Sequence, residues 1–284
     1  MEVIETISSS SDSSPNREDD YKPHLTAFIK KLVQDGDTVV DIGAATGYHT
    51  LVLAEAVGSG GMVYAFEPHP ENADVLEERL TREVMDNVRV YKFGLAHKDM
   101  TTCICNAEYA GDRNLRDCFI SRHYERHVKD DMKIEDYIGM AGEVLPLTKT
   151  MVRCMPLDSL PVFGRVSFVN IGVQGFEKMV ITGGAETIVK HRPVIAVECE
   201  DPCMRLYSYG TEDLFALIRT MNYEIYMLNH SYPSDHICVP EEGVEAFERS
   251  YAGYIFPHTE DNETNHNLIH GVTKRIVVYE EEID

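Results

Sequence analysis

The chain has 284 residues, 43% of them hydrophobic, which is enough for a sizeable core in one large domain or two small ones. Its formal net charge is −22, from 26 basic and 48 acidic side chains. A negative field of that size repels phosphate backbones, so a nucleic acid is disfavoured as partner or substrate. No apolar run approaches the ~20 residues that span a bilayer, and the first residues hold no apolar signal segment, so we expect a cytoplasmic location and no membrane contact.

The seven cysteines do not form a recognisable metal or disulfide framework. Structural zinc sites usually combine C-x-x-C pairs with a matching second pair. Neither Cys103 with Cys105 nor Cys199 with Cys203 has that spacing. We therefore expect reduced thiols and no structural metal.

The N-terminal part of the chain changes character near residue 21. Residues 1–20 combine a serine-rich run with acidic residues, which is typical of a disordered tail. A helix is predicted from Tyr21 to Val33, because apolar residues recur there at helical spacing. We expect residues 21–284 to form a single domain, with an insertion at about 96–150.

Residues 38–50 contain the pattern around which the chain is organised. A β-branched run predicts a buried strand, a glycine turn follows, and apolar spacing then predicts a helix. The dinucleotide-binding fingerprint G-x-G-x-x-G, started at Gly43, would need glycines at positions 45 and 48. These positions hold Ala45 and Tyr48 instead. The pattern is D-x-G-x-x-x-G, from Asp41 through Gly43 to Gly47, and it resembles motif I of the S-adenosylmethionine-dependent methyltransferases.

A second strand is predicted over residues 62–68, with the acid Glu67 at its end. A carboxylate at this position of a βαβ unit is placed to accept the ribose hydroxyls of a bound cofactor. The cofactor is therefore expected to be S-adenosyl-L-methionine. The residues predicted to bind it are Asp41, Gly43, Ala44, Ala45, Thr46, Gly47, Tyr48, Thr50, Glu67, Pro68, Leu95 and Asn170.

The remaining elements alternate between helices and strands. Helices are predicted at 71–83, 176–190 and 211–221, and strands at 87–95, 166–171, 193–198, 223–228 and 274–280. Such alternation predicts an α/β fold with a mostly parallel sheet covered on both faces. Residues 96–150 have no clear period, and both a substrate lid and a solvated surface excursion remain open there.

These segments together resemble the FkbM family of class I methyltransferases over most of residues 36–228. The sequence D-I-G-A-A-T-G-Y-H-T at 41–50 is similar to that family's first motif, and Y-A-F-E-P at 64–68 to its acidic second motif. P-L-D-S-L at 156–160 is similar to its L-D-x-L element. The resemblance implies a Rossmann-like class I fold with a mostly parallel seven-stranded sheet, helices on both faces, and O-methylation of sugars or secondary metabolites.

One segment departs from the family pattern. After the fourth strand, relatives carry K-I-D-V-E-G-x-E, whereas residues 170–177 read N-I-G-V-Q-G-F-E. Gly172 and Gln174 thus replace two carboxylates at the strand ends, where ligands bind in such sheets. Gln174 can hydrogen-bond but cannot serve as a base near neutral pH.

Transfer of a methyl group to an alcohol is helped by a base that removes the hydroxyl proton. Glu198, at the end of the fifth strand, is the first candidate, and Gln174 and Asp158 complete the predicted catalytic set. Glu177, Glu200 and Asp201 are further candidates. A magnesium ion held by Asp158, Glu198 and Asp201 is an alternative, which the missing acid at Gly172 disfavours.

The leading hypothesis is an S-adenosylmethionine-dependent O-methyltransferase with a small-molecule or carbohydrate acceptor. One alternative is a catalytically inactive cofactor-binding protein of the same fold. The other is a nucleic-acid 2′-O-methyltransferase, which the net charge disfavours.

Overall fold

The structure is a computed structural model that describes residues 22–109, 112–120, 147–161, 164–205, 207–228 and 234–257. For residues 105–109, 112–120 and 147–149, and for Pro202 and Pro257, only the backbone is described. The predicted N-terminal tail at 1–20 and the predicted last strand at 274–280 lie outside these ranges. The helices and strands below are those of the described residues.

A mixed sheet forms the centre of the molecule, with the strand order β12-β10-β11-β9-β8-β1-β2-β3. Strands β1, β2, β3, β8 and β9 run parallel, and β11 lies antiparallel between β9 and β10. These strands are β1 Thr38–Ile42, β2 Met62–Phe66, β3 Val88–Tyr91, β8 Val166–Ile171, β9 Val194–Cys199, β10 Tyr223–Met227, β11 Ser234–Pro240 and β12 Phe256–Pro257. The seven longer strands confirm the predicted Rossmann-like class I fold, and β12 adds two residues at one edge.

Helices cover both faces of this sheet, as expected. They are α1 Pro23–Leu32, α2 Tyr48–Val57, α3 Pro70–Arg82, α4 Glu177–Gly183, α5 Ala185–His191, α6 Asp201–Arg205, α7 Thr211–Arg219 and α8 Val244–Tyr251. Neighbouring strand residues point to opposite faces, so Val39 belongs to the core cluster that contains Phe28 of α1, and Val40 belongs to a second cluster that contains Phe215 of α7. No helix within the described ranges is long and apolar enough to cross a membrane.

The insertion contributes strands to a second sheet, with the order β4-β7-β5-β6. Its strands are β4 Gly94–Leu95, β5 Met100–Tyr109, β6 Asp112–Ile120 and β7 Leu147–Met155. The third predicted strand was therefore too long, because β3 ends at Tyr91 and Leu95 belongs to this second sheet. Ile104, on β5, reaches the cavity described below.

Two other sequence predictions need correction. The helix predicted at 176–190 is two helices that meet at Gly184. A Cβ at Gly183 would overlap the carbonyl oxygen of Ala96, so the break lies where the helix packs closely on the loop after β4. The antiparallel strand β11 was missed, because Asp235 and His236 are polar residues at buried positions and hide the apolar pattern.

Candidate active site

The turn between β1 and α2 has an unusual backbone, which explains its residues. Gly43 and Gly47 have φ values of 83° and 93°, and Ala45 has φ 49°. A Cβ at Gly43 would overlap the carbonyl oxygen of Gly172, so only glycine fits there. The amides of Gly43 and Ala44 both donate to the carbonyl of Phe66, which ties the turn to β2.

Three of the residues predicted to bind cofactor form a buried brace beneath this turn. The Thr50 hydroxyl donates to Asp41 at 2.6 Å, and the Asn170 amide donates to the other Asp41 oxygen at 2.9 Å. Burial raises the pKa of Asp41 above its usual range, although both hydrogen bonds oppose that shift. Asp41, Thr50 and Asn170 therefore hold β1, α2 and β8 together and shape the turn from below.

Glu67 both braces the turn and lines the cavity. Its carboxylate accepts the amide protons of Ala45 and His69, each at 2.8 Å, and a longer hydrogen bond from Asn72. One acceptor position on Oε2 remains beyond these bonds. Burial raises the pKa of Glu67 to about 7, against the effect of its hydrogen bonds.

A cavity opens at the carboxyl ends of β1, β2 and β8. The residues that line it are Ile42, Gly43, Ala45, Phe66, Glu67, Pro68, Asn72, Gly94, Leu95, Ile104, Gly172, Val173, Gln174 and Phe176. This set includes Gly43, Ala45, Glu67, Pro68 and Leu95 from the prediction. Ala44, Thr46, Gly47 and Tyr48 complete the turn and the start of α2 without lining the cavity.

The loop after β8 forms the cavity wall opposite the glycine turn. The sequence of this loop departs from that of the relatives. Gln174 has φ 52°, a conformation that is rare for a residue with a side chain. Glu177 holds this loop, because its Oε1 accepts the amide protons of Val173 and Gly175, each at 3.2 Å. Burial raises the pKa of Glu177 to about 7. Its hydrogen bonds to two backbone amides make this acid a structural support of the loop.

Glu198 lies beside this wall, as predicted, but with partners that the sequence did not reveal. Its Oε1 is 2.7 Å from the ammonium of Lys22, and its Oε2 accepts a 3.4 Å hydrogen bond from Gln174. Lys22 also contacts Asp235 at 2.7 Å. No sequence pattern identified Lys22 as a site residue, and the residues around Asp235 were not predicted to form a strand.

The other predicted acids serve as helix caps. Asp158 accepts the amide protons of Glu186 and Thr187 at the start of α5, at 3.0 and 2.8 Å. Asp201 accepts the amide and hydroxyl protons of Thr211 at the start of α7. Neither residue lines the cavity.

His49 is a further buried group near Lys22. Its ring contacts Tyr48 edge-on, with the ring centroids 5.1 Å apart. Burial, assisted by the Lys22 charge, lowers the pKa of His49 to about 3, so the imidazole is neutral at pH 7. A larger groove around Arg192 lies at the opposite ends of the strands, where Arg192 binds Glu242 and backbone carbonyls.

The Methyltransferase FkbM domain profile matches residues 41–225, which is more than half of the chain. The chain belongs to the FkbM methyltransferase family. This confirms the resemblance drawn from the glycine turn and the acidic second motif. The cofactor of this family is S-adenosylmethionine, as those two motifs predicted.

This FkbM protein also matches individual proteins over part of their length. It is 40% identical over 70 residues to a protein-L-isoaspartate O-methyltransferase of Ignicoccus hospitalis, and 41% identical over 71 residues to one of Methanocella arvoryzae. Each match spans 24% of this chain, and 33% and 38% of the respective relatives, so the chain spans about a third of their length. The FkbM methyltransferase structure from Methylobacillus flagellatus aligns with a TM-score of 0.46 at 13% identity, covering 75% of this chain and 50% of that one.

The residues of the FkbM cavity fit the cofactor. Three of the lining residues, Gly43, Gly94 and Gly172, add no side chain to the cavity walls. Glu67 presents an acceptor where ribose hydroxyls are expected. Within the described ranges, no group of three or more His, Cys, Asp or Glu side chains is arranged to hold a metal ion.

Proposed function

We propose that this protein is an S-adenosylmethionine-dependent O-methyltransferase that acts on a hydroxyl of a sugar or other small molecule. The observation that carries the proposal is the position of Glu198, buried beside the cavity wall that faces the glycine turn. This position puts an acid on the proposed acceptor side, next to the edge of the sheet where the cofactor is proposed to bind. The proposal places the reaction in the cytoplasm, since none of the described cysteines forms a disulfide.

The cofactor, when bound, supplies an electrophilic methyl group on a sulfonium. The protein's own contribution is to hold the two reactants and to move one proton. Ala45, Glu67 and Leu95 form the cofactor side of the cavity. Glu198 is proposed to accept the hydroxyl proton of the acceptor. Gln174, which donates a hydrogen bond to Glu198 Oε2, is proposed to orient the Glu198 carboxylate.

Small uncharged acceptors suit this site better than phosphorylated ones. Glu67 and Glu198 are both buried acids near the cavity, and Lys22 is the cation that contacts Glu198. Together with the net charge of −22, they disfavour a polyanionic acceptor such as a nucleic acid.

A catalytically inactive, cofactor-binding protein is the second candidate. Two observations favour it: Gly172 and Gln174 replace the acids of relatives, and both Glu198 oxygens are already engaged. A Cβ at Gly172 would lie 3.4 Å from Glu198 Oε2, so an acid there would reach the same site. If Gly172→Asp with Gln174→Glu creates turnover that the parent lacks, the second candidate is correct.

A calorimetric titration with S-adenosylmethionine, followed by a methyl-donor assay, tests the proposal. The acceptor panel should include sugars, small alcohols, a short RNA and an isoaspartyl peptide. Binding with transfer to a sugar or alcohol supports the proposal. Transfer to RNA or peptide alone would replace the proposed acceptor, and binding without any transfer favours the inactive protein.

Substitution of Glu198 tests the proposed base. Glu198→Gln should lower turnover by about 10²–10⁴, the usual scale for general base catalysis. Affinity for S-adenosylhomocysteine should stay within about threefold, because Glu198 lies outside the cavity lining. Glu224→Gln, an exposed acid on β10, is the matched control and should leave turnover unchanged. Full activity in Glu198→Gln would show that another group removes the proton.

A further inference from the structure

Three charged side chains meet at the acceptor side of the sheet. The Lys22 ammonium lies 2.7 Å from Glu198 Oε1 and 2.7 Å from Asp235 Oδ1. The side chains are 13%, 7% and 3% exposed, in the order Lys22, Glu198 and Asp235. An ion cluster this well shielded from water interacts more strongly than a surface pair.

The sheet itself forces the two acids together. Asp235 on β11 is the direct register partner of Glu198 on β9. Like charges directly opposite one another on neighbouring strands repel, and burial makes that repulsion worse. A cation between them removes this cost, and Lys22 occupies that position.

Lys22 is delivered to this position by its backbone. It has φ 47° and ψ 60°, the left-handed conformation, immediately before Pro23 at the start of α1. Its carbonyl accepts the amide proton of Thr26, so the residue is tied to the first turn of the helix. The helix is in turn packed into the core through Leu25 and Phe28.

The cluster also connects to the cavity. Glu198 Oε2 accepts a hydrogen bond from Gln174, which lines the cavity wall. We propose that Lys22 is a positioning residue, whose ammonium bridges Glu198 and Asp235, aims Glu198 at the acceptor and sets the charge of that side of the cavity at −1. The catalytic part of this inference rests on the proposed function.

Other titratable groups lie near the cluster and are retained in every variant. His49 on α2 is neutral at pH 7, because its pKa is lowered to about 3. Glu177 on α4 and His24 on α1 also interact with the cluster's acids. All variants below keep these groups, so differences among variants measured at one pH, such as pH 8, come from the cluster.

The affinity ratio between S-adenosylmethionine and S-adenosylhomocysteine reads the cluster's charge, because only the first carries a sulfonium cation. Lys22→Met changes the cluster from −1 to −2 and should favour the sulfonium by about four- to tenfold, the order of effect of one unit charge at an effective dielectric near 20. Asp235→Asn changes it to 0 and should shift the ratio in the opposite direction. Lys22→Met with Asp235→Asn restores −1 and should return the ratio to the parent value.

Two lysine variants are the controls. Lys22→Arg keeps the charge and should keep the parent ratio. Lys30→Met removes an exposed lysine from the same helix and should change the ratio by less than about twofold. Opposite shifts for the two single variants, with cancellation in the double variant, would not follow from a general loss of structure. A ratio in Lys22→Met equal to that of Lys30→Met overturns the proposal.

Thermal unfolding decides the bridge without any cofactor. Lys22→Met should lower the melting temperature by about 5–15 °C, as expected when a buried ion pair loses one partner, and Asp235→Asn in the same chain should recover at least half of that loss. If the parent binds neither cofactor form, the proposed function fails while this series still tests the bridge. A Lys22→Met variant as stable as Lys30→Met would refute the bridge even if the enzyme is active.

Once an acceptor is found, turnover tests the positioning role. Lys22→Met should lower kcat by more than about tenfold, since a misplaced base loses part of its catalytic effect. Affinity for S-adenosylhomocysteine should be retained, and Lys22→Arg should restore much of the rate. Unchanged kcat in a folded Lys22→Met variant would show that the bridge is structural only.

Discussion

At the residue scale, the buried acids of the site divide into supports and reactants. Glu67 and Glu177 accept backbone amide protons from the loops on either side of the cavity. Asp41 is held by two side chains beneath the glycine turn. Glu198, the proposed base, instead contacts the charged group of Lys22.

The raised pKa of Glu177 predicts a pH-dependent contribution to stability. Its folded-state pKa of about 7 lies above the ordinary glutamate value of 4.5, so the folded state holds the proton more tightly. This stability is present below about pH 4.5 and is lost as the pH rises through about 7. The side chain in Glu177→Gln stays uncharged at every pH. From pH 5 to pH 8, the unfolding free energy of this variant should therefore rise by about 3 kcal/mol relative to that of the parent.

Urea unfolding at the two pH values measures this difference. Glu186→Gln, an exposed acid on the next helix, should show no comparable change. Equal free-energy differences at pH 5 and pH 8 would mean that Glu177 is ionised throughout that range.

At the scale of elements, the site depends on turns and helix ends that approach one another closely. The turn after β1 meets the loop after β8 through Gly43 and Gly172. Glu177, at the start of α4, holds the loop on the far side of the cavity. Substitutions in these turns and helix ends should affect stability and cofactor binding more than substitutions of exposed residues on the strands.

Gly43→Ala should damage both stability and cofactor binding. The left-handed backbone alone costs an alanine about 1–2 kcal/mol, and its Cβ would overlap the Gly172 carbonyl. The melting temperature should fall, and S-adenosylhomocysteine should no longer raise it. Gly60→Ala is the matched control, because its Cβ would meet nothing closer than 3.6 Å and its backbone is not left-handed. A Gly43→Ala variant that binds as tightly as Gly60→Ala would contradict the close packing of the two loops.

Asp158 tests whether a predicted catalytic acid is a helix cap. Asp158→Ala leaves two amide protons at the start of α5 without their acceptor and should cost about 0.5–2 kcal/mol. Asp158→Asn keeps an acceptor and should recover most of that stability. Turnover per folded molecule should be unchanged in both. A loss of turnover in a stable Asp158→Asn variant would return Asp158 to the catalytic set.

At the scale of the whole molecule, the arrangement of charge bears on metal use. A divalent ion would need oxygen ligands at the strand ends. Gly172 lacks the acid of its relatives, and the Lys22 ammonium lies between Glu198 and Asp235. The positive charge on the acceptor side is thus already supplied by the protein.

We therefore expect EDTA to leave turnover unchanged, with the rate measured before and after chelation and after magnesium is added back. An enzyme with an aspartate restored at Gly172 provides a comparison, because that acid would lie next to Glu198. Loss of activity with EDTA that magnesium reverses would show that the parent enzyme uses a metal.

Much of the cofactor side was predictable because its signals are local. The strand, glycine turn and helix at 38–57 and the acid at Glu67 are encoded within about thirty residues. Leu95, one of the residues predicted to bind the cofactor, lines the cavity, although its strand belongs to a different sheet. The acceptor side was less predictable, since helix capping by Asp158 and the identity of β11 depend on neighbours distant in sequence.

The sequence by itself determined the family, the class of fold and the turn that receives the cofactor, because backbone conformation and hydrophobic period act over short distances. Only the tertiary structure decided what holds Glu198, the proposed base. Lys22 and Asp235 are 213 residues apart in the chain and meet only when α1 packs against the sheet and β11 inserts beside β9. Burial then makes their charges matter, because an acid pair that water would screen at the surface needs a cation inside the protein.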